Sequence, residues 1–309
     1  MSLQSKFLSF HGKILLANTD ENATLRDKRD NVLRRMRDKG LTFAPFNQGS
    51  YAMGTGVKPV RTDYDIDVGV VFSGKRPEDP LATKRAVRDA LHGFTKSVEW
   101  RRHCIRVQYT KEGESIYHVD VAIYWEDAGK RLALAVGKEG STGVHKEWEP
   151  ADPKGFLEKV TNRHSGNDAA QFRRVVRYLK RWKDVHFAIE GNAAPVGVGL
   201  TVAGLTRFAP ARPWSAQTEA DYDDLKALID FVDGMRRGFQ YVYHEGATAL
   251  RLVERFPVEP GKDVFRKMTN QQMGEFKGRL DRLSGWLETA RSSQQTGSLL
   301  QAFGEEFPA

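Results

Sequence analysis

Three aspartates occupy alternate positions in the segment Asp63–Asp67, immediately before the apolar run Val68–Phe72. Successive side chains of a β-strand point to opposite faces, so the pattern predicts one face with Asp63, Asp65 and Asp67 and another that is apolar and buried. Two carboxylates at such i, i+2 positions on a rigid strand can hold divalent cations at a nearly fixed separation, as two-metal phosphoryl or nucleotidyl transfer requires. We therefore expect Asp65 and Asp67 to be metal ligands in a site for a phosphorylated substrate.

A second feature, the turn Gln48-Gly49-Ser50, precedes these acids and opens a predicted short helix. The start of a helix offers unpaired backbone N–H groups to a phosphate, and Gly49 lets the backbone approach a ligand closely. Taken alone, a Gly-Ser pair is usually only a turn, and an Asp-x-Asp strand is usually a solvated edge. Because Ser50 and Asp65 lie only 15 residues apart, we interpret them as one site, with a phosphate at Ser50 and metal ions at the acids.

A third acid, Asp120, lies in the middle of a strand that is expected to be half-buried. Alternating apolar residues predict a hairpin of two strands, Val98–Tyr109 and Ser115–Trp125. A buried carboxylate needs a partner. The residue types leave two partners open, a metal ion shared with the acids of the first strand or a salt bridge to Arg102 or Arg106. The pattern as a whole favours the metal.

The composition restricts the class of protein. With 309 residues, 40% of them apolar and 28% charged, the chain is typical of a soluble globular protein with two lobes or two packed domains. It has no run of 18 apolar residues and no basic-then-apolar N-terminus, so we expect a cytoplasmic protein without membrane association. The single cysteine, Cys104, excludes an internal disulfide and a multi-cysteine zinc site. A net charge of +8 favours a phosphate-rich partner, either nucleoside triphosphates or nucleic acid.

The other elements must surround this site. Helical periodicity predicts one or two helices over about residues 5–40, and further helices over Asp79–Gly93, Pro195–Phe208, Asp221–Arg237, Ala247–Arg255 and Thr269–Ser292. The segment Gln171–Asp184 predicts a basic amphipathic helix whose Lys180 can hold a triphosphate, although a basic helix face is more often only solvated. The C-terminal segment Phe303–Ala309 is expected to be exposed.

With these residues located, the chain resembles the cGAS/DncV-like nucleotidyltransferases, bacterial enzymes of the polymerase-beta-like superfamily that make cyclic oligonucleotide signals in CBASS anti-phage defence. The likeness covers most of the chain and rests on Gln48-Gly49-Ser50, Asp65-Ile66-Asp67, His118-Val119-Asp120, Ala151-Asp152-Pro153-Lys154 and the helix Phe172–Asp184. It implies an α+β fold in which residues 1–150 form a nucleotidyltransferase core of mixed sheet, flanking helices and N-terminal bracing helices. Residues 151–309 would form a helical lobe, with the active site in the cleft between the two.

The resemblance also implies roles for individual residues. The donor triphosphate would be held by Gln48, Gly49 and Ser50. Two magnesium ions, with manganese as an alternative, would be bound by Asp65, Asp67 and Asp120. The basic positions near the nucleotide phosphates are matched by Arg106 and Lys180. Asp120 would also help to activate the attacking ribose hydroxyl, whereas Pro195–Gly199 departs from members that carry hydroxyl side chains there, so base selection does not follow from the resemblance.

Partners are implied in the same way. The substrates would be nucleoside triphosphates, first of all ATP and GTP, and the cyclic product would activate a separate effector protein. In some defence systems a ubiquitin-like ligase joins the C-terminus of the enzyme to other proteins, and the small residue Ala309 would permit this. The chain lacks the cysteine-rich insertion by which animal DNA sensors bind duplex DNA. We therefore expect a monomer that does not require nucleic acid.

The resulting hypothesis is a template-independent nucleotidyltransferase that joins two or more nucleoside triphosphates into a cyclic product and releases pyrophosphate. One alternative is an enzyme that extends RNA ends or modifies a protein, although the sequence shows no separate RNA-binding module. A second alternative is a catalytically silent nucleic-acid sensor with the same fold. Three clustered carboxylates argue against the sensor, since a silent protein has no physical need for them.

Overall fold

The computed structural model describes residues 2–17, 19–60, 63–111, 114–188 and 193–309. The helices span Leu3–Ile14 (α1), Asp20–Asp38 (α2), Gly49–Ala52 (α3), Pro80–Leu91 (α4), Pro153–Thr161 (α5), Gly166–His186 (α6), Gly197–Arg207 (α7), Asp224–Arg237 (α8), Asn270–Ser293 (α9) and Gly297–Phe303 (α10). The strands span Ala44–Asn47 (β1), Tyr64–Phe72 (β2), Ser97–Trp100 (β3), Ile105–Lys111 (β4), Glu114–Glu126 (β5), Leu132–Val136 (β6), Glu147–Ala151 (β7), Phe239–His244 (β8) and Ala247–Leu252 (β9). Within the described ranges, no helix has the length and apolar character needed to cross a bilayer.

The strands β1 to β7 form one mixed sheet. Its order β1-β2-β5-β4-β3 is extended by β6, which pairs with the end of β5, and by β7. β2 and β5 run parallel in the middle of this order. Their apolar side chains, which include Ile66, Val68, Val119 and Val121, belong to a core that also contains residues of α2 and α4. The alternation of the two strands therefore leaves their acids on the opposite face.

A second apolar core lies among the helices α1 and α6 to α10. In α6 the side chains of Phe172, Leu179 and Trp182 are buried at the predicted helical spacing. The first helix, α1, also packs into this core through Phe7 and Phe10. The N-terminal helix thus stabilises the helical lobe. The position of the domain boundary after residue 150 stays a prediction.

The predicted helices are confirmed except one. The segment Ala247–Arg255 contains β9 instead, which pairs with β8 in an antiparallel hairpin outside the main sheet. Glu245 and Gly246 form its turn with φ values of +53° and +79°, which are the left-handed values that two-residue hairpin turns require. The local sequence of Ala247–Arg255 is compatible with a helix or a strand. The turn and the pairing with β8 make it a strand.

The predicted hairpin of the core forms, but its first strand is interrupted. Val98–Tyr109 overlaps both β3 and β4, which pair with each other. A tight turn joins them, in which the Arg101 N–H donates to the Cys104 carbonyl at 3.0 Å. β4 then pairs with β5 as expected.

The C-terminal segment Phe303–Ala309 was predicted to be exposed, and this is wrong for its two phenylalanines, which are buried. Phe307 is 1% exposed, and its ring centroid lies 5.1 Å from that of Phe7 and 5.0 Å from that of Phe10. Only the last residue, Ala309, and a few polar neighbours are exposed. The partners that bury this segment come from the other end of the chain, so local composition gives no sign of them.

Candidate active site

The register of β2 and β5 brings the predicted acids together. In this parallel pair Asp65 lies opposite His118, and Asp67 lies opposite Asp120. Asp63 precedes the strand, and its Oδ2 atom lies 2.8 Å from the Nδ1 atom of His118. Asp65, Asp67 and Asp120 therefore share one face of the sheet, opposite the apolar core.

The Gly-Ser turn lies against Asp67. Gly49 has a φ of +69°, and a Cβ atom at this position would lie 1.9 Å from the Asp67 Oδ2 atom. Only glycine fits both the backbone conformation and this close approach. Gln48, Gly49, Ser50, Asp65 and Asp67 all line one cleft of about 670 Å³. The two motifs that the sequence suggested as one site are neighbours in this cleft.

The surroundings of Asp67 oppose a negative charge. Burial raises the pKa of its carboxyl group well above the usual range, and the carboxylates of Asp65 and Asp120 raise it further. The cations Arg106 and Lys180 lower the pKa by a smaller amount. A cation bound among these carboxylates would remove their repulsion, so the cluster has the electrostatic character of a cation site.

Asp120 has a protein partner. Arg106 lies directly opposite it across β4 and β5, and its Nε and Nη2 atoms each donate to one carboxylate oxygen at 2.8 Å. The structure thus contains the salt bridge that the sequence left open as the alternative to a metal. Arg102, the other possible partner, donates to the carbonyl of His145 instead. A role of Asp120 as a metal ligand stays a prediction.

The donor set of the cleft fits a magnesium ion that is shared with a substrate. Among the residues that the structure describes, no group of three His, Cys, Asp or Glu side chains is placed to hold a metal ion on its own. Mg²⁺ is commonly bound by one or two carboxylates, with the remaining positions taken by substrate phosphates and water. Asp65 and Asp67 supply such carboxylates, and their mutual repulsion favours a cation. Binding of magnesium or manganese in this cleft accordingly stays a prediction, and the carboxylates present there suit both ions.

Three basic side chains of α6 hold the loop 54–58, which follows α3. Arg177 donates to the carbonyls at both glycines of this loop, the second at 3.2 Å. The Lys180 Nζ atom donates to the carbonyl and to the hydroxyl of Thr55 at 2.9 and 3.0 Å. Arg181 donates to the last carbonyl of the loop at 2.9 Å. We call Arg177, Lys180 and Arg181 the α6 row.

Lys180 has one further donor available. It is 8% exposed, and burial, followed by the charge of Lys183, lowers its pKa to about 7. An ammonium group has three N–H donors, and Thr55 accepts two of them. Because Lys180 also lines the cleft, the remaining donor can reach a phosphate bound there.

Several residues in or beside the cleft were not found from the sequence. Thr55, the acceptor for Lys180, has no local signal, because its partner lies more than a hundred residues later in the chain. His118 alternates with Asp120 in the same strand, which puts both on one face, but its position opposite Asp65 depends on the register of β2 and β5. The unpredicted basic residues that line the cleft include His103, Lys183, Arg266 and Lys267.

Comparison with known sequences finds a match for the part of the core that carries the acids. Residues 44–124 match the family described as "Cyclic GMP-AMP synthase DncV-like, nucleotidyltransferase domain". A cyclic GMP-AMP synthase from Escherichia albertii is 31% identical over 156 residues, which make up 47% of this chain and 32% of that protein. The similarity thus covers less than two thirds of the length of the relative, and it confirms the resemblance seen in the motifs.

Solved structures show the same fold over nearly the whole chain. The apo form of DncV from Vibrio cholerae has a TM-score of 0.74 and 17% sequence identity, covering 100% of this chain and 96% of that chain. CdnG from Bradyrhizobium diazoefficiens, in complex with GTP, has a TM-score of 0.72 and 16% identity, covering 97% and 95%. These structures confirm the predicted α+β fold with a mixed sheet and a C-terminal helical lobe.

Proposed function

We propose that this chain, whose core is that of a cGAS/DncV-like nucleotidyltransferase, joins nucleoside triphosphates into a cyclic di- or oligonucleotide without a template and releases pyrophosphate. The proposal depends most on one observation, the position of Asp67 opposite Asp120 and against the Gly49 turn, with Asp65 on the same face of the sheet. Nucleotidyl transfer needs clustered carboxylates next to a phosphate site, because charge develops on the α-phosphate and the leaving group.

The residues of the cleft have distinct roles in this proposal. Ser50 and the N–H groups of its turn bind the phosphates of the donor nucleotide, and the third N–H of Lys180 supports them. Magnesium held by Asp65 and Asp67, with Asp120 as a further ligand, would lower the pKa of the attacking ribose hydroxyl and neutralise charge on the α-phosphate. Arg106 holds the Asp120 carboxylate in place through two parallel hydrogen bonds. The protein acts by positioning and electrostatic stabilisation.

The names of the relatives support a cyclic product from purine nucleotides. The sequence relative is a cyclic GMP-AMP synthase, and the CdnG structure contains GTP. ATP and GTP are therefore the first substrates to test, and cyclic GMP–AMP is the first product to look for. The effector protein, the ligase acting on the C-terminus, the anti-phage role and the cytoplasmic location stay predictions from the resemblance.

Product analysis tests the proposal. Purified protein is incubated with Mg²⁺ and labelled nucleoside triphosphates, singly and in mixtures, and the products are treated with phosphatase. We expect a phosphatase-resistant product from wild type and none from Asp65→Asn/Asp67→Asn. The matched control is Asp27→Asn/Asp38→Asn, which makes the same charge change at exposed positions of α2 and should leave the product unchanged.

The other outcomes separate the alternatives. A product that forms only with an added RNA primer would favour the enzyme that extends RNA ends. Salt-sensitive binding of nucleic acid without turnover in any mixture would favour the silent sensor. Equal activity of the acid variant and wild type would contradict the assignment of the site.

A further inference from the structure

The C-terminal segment 304–309 is anchored by its backbone and by one aromatic ring. The ring of Phe307 is buried against two phenylalanines of α1. The N–H of Phe307 donates to the carbonyl of Gly304 at 3.1 Å, which closes a tight turn. Within this turn, the carbonyl of Glu306 accepts from the Lys13 Nζ atom at 3.1 Å. These contacts hold the backbone at Glu306 without using its side chain.

The side chain of Glu306 reaches the last cation of the α6 row. Its Oε2 atom lies 2.6 Å from the Nη1 atom of Arg181, whose side chain is 3% exposed. Among the described residues, Glu306 is the carboxylate that pairs with Arg181, and neither Arg177 nor Lys180 has such a partner. The C-terminal segment therefore supplies a counter-charge to the row that holds the loop 54–58.

The position of Arg181 depends on few acceptors. Its Nη2 atom donates to the carbonyl of Lys58 at 2.9 Å, and its buried Nε atom has no acceptor among the described residues. Burial lowers the pKa of Arg181, whereas the charges of Glu306 and Asp184 act in the opposite direction. Asp184 is itself paired with Lys183. Without Glu306, a buried cation would be left with a single carbonyl, so we expect the guanidinium group to turn toward water.

The loop 54–58 connects this cation to the cleft. The Lys58 carbonyl that Arg181 holds is the last of the loop. At the other end, the N–H of Thr55 donates to the carbonyl of Ser50 at 2.9 Å, and Ser50 lines the cleft. A shift of Lys58 is therefore transmitted over a few residues to the turn that is assigned to the donor phosphates.

We propose that Glu306 is a positioning residue for the donor nucleotide, an inference that rests on the proposed function of the cleft. Its carboxylate keeps the guanidinium group of Arg181 on the carbonyl of Lys58, and the loop passes this restraint on to Ser50. Glu306 is not among the residues that line the cleft. It acts on the nucleotide through these contacts and not by touching it.

The charge of Glu306 by itself would act in the opposite direction. A carboxylate repels a polyphosphate, so its removal would strengthen nucleotide binding if charge alone mattered. Loss of the restraint on Lys58 should weaken binding instead. The exposed neighbour Glu305 carries the same charge and has no ion-pair partner among the described residues. It is the matched control, because its removal changes the electrostatic field but not the restraint.

Calorimetry with Mg²⁺ and a non-hydrolysable ATP analogue tests the sign of the effect. Glu306→Ala should weaken binding about fivefold or more, and Glu306→Gln, which keeps an acceptor for Arg181, should weaken it by a smaller factor. Glu305→Ala should bind as tightly as wild type or slightly more tightly. In turnover assays the KM for ATP of Glu306→Ala should rise with its Kd, while kcat changes little, because saturating nucleotide holds the turn in place.

Hydrogen exchange reports the restraint in the absence of nucleotide. The amides of the loop 54–58 should exchange faster in Glu306→Ala than in wild type or in Glu305→Ala. In an Arg181→Met background, Glu306→Ala should have no further effect on affinity, because the two changes act through one contact. A lower melting temperature of Glu306→Ala with unchanged affinity would overturn the proposal, since Glu306 would then be only a structural residue.

Product analysis separates this proposal from the proposed function. Nucleotide affinity that depends on Glu306, without any cyclic product, would contradict only the function. A cyclic product with the same affinity and KM in Glu306→Ala as in wild type would contradict only the positioning role.

Discussion

Two clusters of positive charge lie at the cleft and the cavity that adjoins it, the α6 row and a basic rim formed by Arg102, Arg266 and Lys267. The two clusters differ in their partners. Each cation of the α6 row donates to backbone carbonyls of the loop 54–58. In the described part of the chain, the rim cations Arg102, Arg266 and Lys267 have no carboxylate partner and few carbonyl partners. The α6 row positions the chain through its bonds to the backbone, with one donor of Lys180 left for a ligand. The rim cations keep donors that are free for a ligand.

Through the loop 54–58, the α6 row links the helical lobe to the turn Gln48-Gly49-Ser50. The loop 54–58 returns to that turn through a hydrogen bond from the Thr55 N–H to the Ser50 carbonyl at 2.9 Å. The α6 row thus sets the position of Ser50 relative to the helical lobe. The rim cations Arg102 and Arg266, by contrast, each donate to a single backbone carbonyl.

The largest expected effect is a loss of product formation when the turn at Gly49 is changed. In Gly49→Ala the new Cβ would lie 1.9 Å from the Asp67 Oδ2 atom, so we expect product formation to fall by about 100-fold or more because the acid is displaced. Gly40→Ala is the matched control, because Gly40 also has a positive φ, +85°, but its Cβ would meet nothing within 4 Å. Initial rates and melting temperatures of both variants check this. Equal losses of activity would show that contact with Asp67 does not matter.

The next effect tests the structural role of the α6 row. Arg177 is 6% exposed, and Arg177→Ala leaves two loop carbonyls without a donor. We expect the free energy of unfolding to fall by about 3 kcal/mol, measured as a lower urea midpoint. Arg173→Ala, one turn earlier on the same helix, should change it by less than about 0.5 kcal/mol. An Arg177→Ala protein as stable as wild type would show that the α6 row has no structural role that the rim lacks.

The third effect depends on pH through His11. Its Nε2 atom lies 2.8 Å from Arg177 Nη1 and accepts from it, and burial followed by the charge of Arg177 lowers the pKa of His11 to about 4. Between its ordinary value of 6.5 and 4, the unfolded chain binds a proton that the folded chain does not. Stability therefore falls as the pH decreases through this window, by about 1 kcal/mol for this half-buried ring.

A neutral replacement isolates this contribution. His11→Gln keeps an acceptor for Arg177 but does not titrate, so its stability should decrease less than that of wild type between pH 6.5 and 4. Urea midpoints at several pH values measure the difference. Identical pH profiles would show that His11 is not held neutral in the folded protein.

The smallest expected effect lies in the rim. Lys267→Gln removes a repelled charge that has no carboxylate partner among the described residues, so the melting temperature should stay the same or rise slightly. Lys84→Met is the contrasting change, because it removes three hydrogen bonds to carbonyls and should lower the melting temperature clearly. A loss of stability in Lys267→Gln as large as that in Lys84→Met would show that Lys267 is itself a structural cation.

The sequence allowed the acidic face to be predicted because its signal is local. Alternation within one strand places Asp65 and Asp67 on the same face, and the Gly-Ser turn is recognisable from its residue types. The partner of Asp120 could not be decided, since it depends on the register of β4 and β5, which sets Arg106 directly opposite. Register is a property of two strands together.

Contacts between distant segments account for the remaining errors. The hairpin β8–β9 was missed because the local pattern of Ala247–Arg255 suits either a helix or a strand, and the partner strand decides. Phe307 is buried by aromatic rings from α1. The α6 row lies at helical spacing within one helix, but its partners in the loop 54–58 are more than a hundred residues away in the chain.

The release of pyrophosphate in the presence of ATP, GTP and Mg²⁺ is the measurement that tests the catalytic role of the acidic face most directly. Wild type and Asp38→Asn, which changes an exposed acid of α2, should release pyrophosphate at the same rate. Asp67→Asn should release none above background while keeping the melting temperature of a folded protein. Release by Asp67→Asn at the wild-type rate would contradict the account of this cleft.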